Sequence, residues 1–86
     1  MFKKWILINF VKVIIISTVS DESKAFEYYM KAAELGNAVA INDVGICYDD
    51  GIGVEKDEKK TFEYYMRAAE LGNASANYNV GAWKWN

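Results

Sequence analysis

Phe26-Glu27-Tyr28-Tyr29-Met30-Lys31-Ala32-Ala33-Glu34-Leu35-Gly36-Asn37-Ala38 returns thirty-six residues later as Phe62-Glu63-Tyr64-Tyr65-Met66-Arg67-Ala68-Ala69-Glu70-Leu71-Gly72-Asn73-Ala74, with Lys31/Arg67 the only change. The register holds on both sides. Asp21, Glu22 and Lys24 recur as Asp57, Glu58 and Lys60, and Val44-Gly45 recurs as Val80-Gly81. Identity over so many positions defines a tandem repeat. A period of about 20–50 residues is that of a solenoid, whose single unit cannot bury its apolar face alone.

The pattern inside the unit is helical. Phe26, Tyr29, Met30 and Ala33 stand at i, i+3, i+4 and i+7, and Phe62, Tyr65, Met66 and Ala69 copy them. Thr61, Tyr64, Ala68 and Leu71 make a second stripe on an adjoining face. A helix apolar on two faces belongs between neighbours. Tyr29 and Tyr65 are therefore expected in like surroundings. Asp21 and Asp57 read as N-caps, because a short carboxylate accepts from the free N–H groups of a first turn. Leu-Gly-Asn is the corner: Gly36 and Gly72 end a helix in the left-handed conformation, and Asn37 and Asn73 cap the next at once. The following helix folds back to give an antiparallel pair, with Ile41, Val44, Gly45 and Tyr48 inward. In the last copy that stripe weakens to Asn77, Val80, Gly81 and Lys84. The linker Asp49–Asp57 carries two glycines, and its Ile52 and Val54 can turn back into the stack.

These signals predict helices over about Glu22–Leu35, Ala38–Asp49, Glu58–Leu71 and Ala74–Trp85. The fold class is all-α, an α/α solenoid of antiparallel helix pairs. Two segments follow: residues 1–20, an apolar N-terminal segment, and residues 21–86, the repeat domain, with units of about 21–56 and 57–86.

The totals exclude several function classes. The chain has 86 residues, enough for one small domain, with 52% hydrophobic and 15% aromatic residues and no proline. A net charge of −2 argues against general nucleic-acid binding, which needs a basic field to release phosphate counterions. Histidine is absent, which removes the commonest general base and metal ligand. Cys47 is the single cysteine, so no intrachain disulfide forms. Cysteine usage does not fix the compartment; the cytoplasm is slightly favoured over a secretory or membrane-anchored setting.

In residues 1–20, Lys3-Lys4 precede an apolar run from Trp5 to Ile16 that is interrupted by Asn9 and Lys12. Three readings stand. A basic start, a short apolar middle and small residues after it are the layout of a targeting or anchoring segment. Leu7, Phe10, Val11 and Ile14 have helical spacing, which suits a capping or degenerate repeat helix. The β-branched run Val13–Ile16 would also suit a strand or tail. Any membrane association would come through these residues alone.

The unit resembles the Sel-1-like repeat family, a relative of the tetratricopeptide repeats. That pattern, approximately G-x-G-V-x-x-D-x-x-K-A…Y-Y/W-x-K-A-A-x-x-G-N-x-x-A…L-G, is carried here by Gly51, Gly53, Val54, Asp57, Lys60, Tyr65, Ala68, Ala69, Gly72, Asn73, Ala76 and Gly81. Thr61 departs from the usual Ala, and Val44 and Val80 from the usual Leu. The resemblance covers Asp21 to about Gly81. It implies a tetratricopeptide-like superhelix acting as a non-catalytic protein–protein interaction scaffold, often within a signalling or protein quality-control assembly. It implies no catalytic residue and no cofactor.

The partner would be another protein or peptide in the concave groove of the stack, with Tyr28, Tyr64, Asn42, Tyr78 and Asn79 as the candidate contact residues. Cys47 has no histidine to activate it and reads as packing. Asp49-Asp50-Gly51 with Glu55, Asp57 and Glu58 lacks the spacing of a calcium loop and reads as a solvated linker. Asn73-Ala74-Ser75 is a glycosylation sequon, but Asn73 is already accounted for as a cap. Trp83 and Trp85 cannot share a helix face; one is expected over the end of the stack and the other toward solvent or a partner.

Overall fold

The computed structural model describes residues 21–85, with side chains through Trp83. The readings of residues 1–20 lie outside the described residues. Helix α1 is described over residues 21–34, followed by α2 (Ala38–Asp50), α3 (Glu58–Glu70) and α4 (Ala74–Trp85). No strand occurs among the described residues. Where the helix ends lie within the described residues, the expected limits agree to within one residue, and the architecture is the all-α solenoid of helix pairs.

Each Leu-Gly-Asn corner is built twice in the same way. At the end of α1, Gly36 N–H donates to Ala33 at 2.9 Å and Asn37 N–H to Ala32 at 3.3 Å. At the end of α3, Gly72 donates to Ala69 at 2.9 Å and Asn73 to Ala68 at 3.0 Å. Both are Schellman closures, and they require the left-handed glycine, whose φ is 84° at Gly36 and 90° at Gly72. The same asparagines then cap: Asn37 Oδ1 accepts from Ala40 N–H at 3.1 Å, and Asn73 Oδ1 from Ala76 N–H at 2.8 Å. One residue ends one helix and begins the next, so the chain reverses within three residues.

Two sequence expectations are corrected here. Asp21 is already helical, so it is not the N-cap of α1. Its copy Asp57 does cap, accepting from Lys60 N–H at 3.0 Å. Gly51 and Gly53, both at positive φ, break the chain ahead of Asp57. Leu71 is not in the buried stripe. It is the C-cap of α3 and is 58% exposed. The Schellman turn rotates that residue outward, and Leu35 at the other corner is exposed as well. The buried line of α3 is Thr61, Tyr65 and Ala68, between the two stripes read from the sequence.

Helix α2 is the centre of the core. Ala40, Ile41, Val44, Cys47 and Tyr48 are buried, and Phe26, Tyr29, Met30 and Tyr64 pack against the cluster from α1 and α3. Tyr48 takes Phe26 edge-on at 5.5 Å and stacks on Tyr64 at 5.7 Å, joining three helices through aromatic rings. Val54 returns from the linker to the same core. Gly45 lets Tyr65 lie directly on α2: a Cβ there would meet Tyr65 Cδ1 at 2.6 Å. Against the expectation of like surroundings, Tyr29 is half-buried where Tyr65 is buried.

Candidate functional site

The second helices of the two units meet in a cleft. Its walls are Asn42, Asp43 and Ile46 of α2 and Ala74, Ser75, Tyr78 and Asn79 of α4, around a volume of about 610 Å³. Asn79 Nδ2 donates to Asn42 Oδ1 at 3.1 Å, bridging helices from different units. Asn42 is buried and forms the floor, while Tyr78 is 76% exposed and forms the rim. Partial burial pushes the Asp43 carboxyl above its ordinary pKa.

Three of the five residues singled out from the sequence, Asn42, Tyr78 and Asn79, therefore come together. Tyr28 and Tyr64 do not line this cleft. Tyr64 is half-buried between Tyr48 and Met30, and the Arg67 guanidinium lies 5.3 Å over its ring. Tyr28 is 71% exposed on α1, with its ring 6.2 Å from that of Tyr29.

Sequence reasoning missed Asp43, Ile46 and Ser75. The signal was available: the thirty-six-residue register aligns Asn42 with Tyr78 and Asp43 with Asn79, so these pairs share one face of α2 and α4. A second, smaller hollow of about 400 Å³ lies between Tyr48, Asp49, Lys56, Asp57 and Thr61, where the linker meets α3. Lys60 Nζ stands 5.3 Å over the Tyr48 ring nearby.

Cys47 is buried, and its thiol is pushed up first by that burial and then by Asp43, Asp50 and Glu22, which suits packing and not nucleophilic attack. Among the described residues no group of three metal-ligating side chains is assembled. Nor, among them, is any helix long and apolar enough to cross a membrane. Trp83 packs on Phe62, ring centroids 5.1 Å apart, in the place that Cys47 takes in the preceding unit.

Paired helices with Schellman corners, asparagine caps and a glycine seat for Tyr65 define a helical-repeat protein. The chain belongs to the Sel1 repeat family, which matches residues 17–37 and 38–73, more than half of its length. Membership carries a coarse functional class, that of protein-interaction repeat modules. No curated protein and no solved structure matches the chain.

Proposed function

We propose that this chain is a non-catalytic scaffold module that holds an extended segment of another protein in the α2–α4 cleft, as one part of a larger signalling or protein quality-control assembly. The observation that carries the reading is the Asn42–Asn79 bond on the floor of an open cleft with Tyr78 at its rim. A carboxamide both donates and accepts, as a peptide unit does, so the asparagines of the cleft can pair with a main chain without reading its sequence. Asp43 adds selectivity. A carboxyl with a raised pKa, drawn partly out of water, gains most from a lysine or arginine on the partner. Tyr78 offers a large, stiff ring of the kind that anchors interfaces.

Affinity capture with the wild type, a Tyr78→Ala/Asn79→Ala variant and an Asp43→Asn variant tests this. Proteins held by the wild type should be lost from the double variant and weakened with Asp43→Asn, at unchanged helicity. Retention of the same proteins by all three would remove the cleft from the binding surface.

A further inference from the structure

On the reading that the α2–α4 cleft is the binding surface, we infer that its occupant is a cationic segment with two basic side chains three residues apart and an apolar residue between them. Asp43 is the one charged residue lining the cleft among the described residues, and it stands beside Ile46 on the α2 wall. The facing wall, Ala74, Ser75, Tyr78 and Asn79, is uncharged. Asp43, Ile46 and Asp50 fall at i, i+3 and i+7, so one face of α2 carries a carboxylate, an apolar group and a second carboxylate in line. Asp43 and Ile46 are half-buried and Asp50 is exposed, while Ile41, Val44 and Tyr48 turn into the core.

Two further observations support the sign of the charge. After burial itself, Asp43 and then Asp50 push up the Cys47 thiol most, so both carboxylates bear on one side of the helix. The last turn of α2 holds Asp49 and Asp50 and no basic residue, at the end where the macrodipole favours cations. Asp49 is already engaged: it accepts from the Tyr65 phenol at 3.5 Å and borders the smaller hollow together with Lys56. Asp50 is turned about 100° from it, onto the Asp43 stripe. A partner's cation at Asp50 relieves an unfavourable contact between charge and dipole. The spacing follows from the helix. Seven residues set the two carboxylates about 10 Å apart along α2. A polyproline II segment rises about 3.1 Å per residue with three residues per turn, so its positions i and i+3 share a face about 9 Å apart. Lysine or arginine at those positions meets both carboxylates, and an apolar residue between them leans on Ile46. The main chain of such a segment makes no internal hydrogen bonds and is free to pair with Asn42 and Asn79. An acidic segment would be repelled by the same two carboxylates.

Titration of the isotope-labelled full chain with short end-blocked peptides, followed by NMR shifts of main-chain and side-chain amides, tests this. The probes are Lys-Pro-Leu-Lys, its neutral analogue Gln-Pro-Leu-Gln, and Lys-Lys-Pro-Leu, which has the same charge at the wrong spacing. Lys-Pro-Leu-Lys should shift the signals of Asn42, Ser75 and Asn79. It should bind about tenfold more tightly than the neutral peptide, and more tightly than Lys-Lys-Pro-Leu. Asp43→Asn and Asp50→Asn should each weaken it about two- to fivefold with the rest of the spectrum unchanged. Added salt should weaken it too. Equal affinity for all three peptides at the cleft would keep the cleft as the binding surface and overturn the charge pattern. Equal affinity for the two lysine peptides, or binding of Lys-Pro-Leu-Lys unchanged by Asp50→Asn, would overturn the spacing. Cleft signals that move with none of the peptides would overturn the binding surface and this inference together.

Discussion

A Cβ built on Gly45 would stand 2.6 Å from Cδ1 and 2.7 Å from Cε1 of Tyr65, so the closest approach of α2 and α3 is set by the absence of a single methyl group. Tyr65 is 4% exposed and has no room to swing aside. Gly45→Ala gains up to about 1 kcal/mol of helix propensity but over-packs a rigid contact at about 1–3 kcal/mol. Net destabilisation is expected. Gly81→Ala, at the same register with nothing within 4 Å, keeps the propensity gain without the clash. Urea unfolding of the two variants should move the midpoint in opposite directions.

Gly53 is a stricter position than the corner glycine Gly36. Both have positive φ, 70° and 84°. Gly36→Ala should cost only the left-handed penalty of about 1–2 kcal/mol, because a Cβ there meets nothing within 4 Å. At Gly53 the same methyl group would also strike the backbone carbonyl of Glu22, which cannot give way as a side chain would. Gly53→Ala should lower the melting temperature by clearly more than Gly36→Ala, since it separates the linker from α1 as well. Equal shifts would show that the linker does not bear on α1.

The Tyr65 phenol supplies a pH test. Burial, then the nearby Asp49 and Asp50 carboxylates, then a hydrogen bond to Asp49 at 3.5 Å push its pKa up to about 12. The folded state thus holds the proton that the unfolded chain gives up near pH 10. The stability tied to this neutral phenol is complete below pH 10 and is lost as the pH rises from about 10 to about 12, on the order of 2 kcal/mol. Unfolding free energy measured across that range should fall steeply in the wild type. In Tyr65→Phe the fall should be shallower.

Much of this architecture was legible because the repeat writes every local rule twice. The Leu-Gly-Asn corners and the Asp57 cap needed only local chemistry, and the structure has them where the sequence puts them. Leu71 and Asp21 misled for a local reason too. Periodicity continues a stripe through a residue that the Schellman turn rotates out of register, and an aspartate reads as a cap even where it already lies within a helix. The cleft was half legible. Asn42, Tyr78 and Asn79 drew notice as polar and aromatic residues on second helices, but their meeting depends on how α2 and α4 lie across α3, which no single-helix pattern encodes. Tyr64 carries the same sequence signal as Tyr28 and is instead half-buried against Tyr48. Only the neighbouring unit decides which of two identical tyrosines faces solvent.

The Asn42–Asn79 bond separates a structural role from a binding role at one site. Asn42 is 5% exposed, so removing its donor with Asn79→Ala leaves a buried acceptor unpaired at about 1–2 kcal/mol. Asn42→Ala removes the acceptor and leaves a small void on the floor. The double variant should cost less than the sum of the two, with a coupling of about 0.5–1.5 kcal/mol from a double-mutant cycle in urea. Tyr78→Ala makes the contrast. At 76% exposure its ring contributes little to folding, and stability should stay within about 0.5 kcal/mol of the wild type. If the cleft takes a partner segment, Tyr78→Ala should nevertheless weaken that binding about tenfold or more, as loss of an aromatic anchor does. A loss of stability equal to that of Asn79→Ala would place Tyr78 in the packing of the stack and leave the rim of the cleft without its anchor.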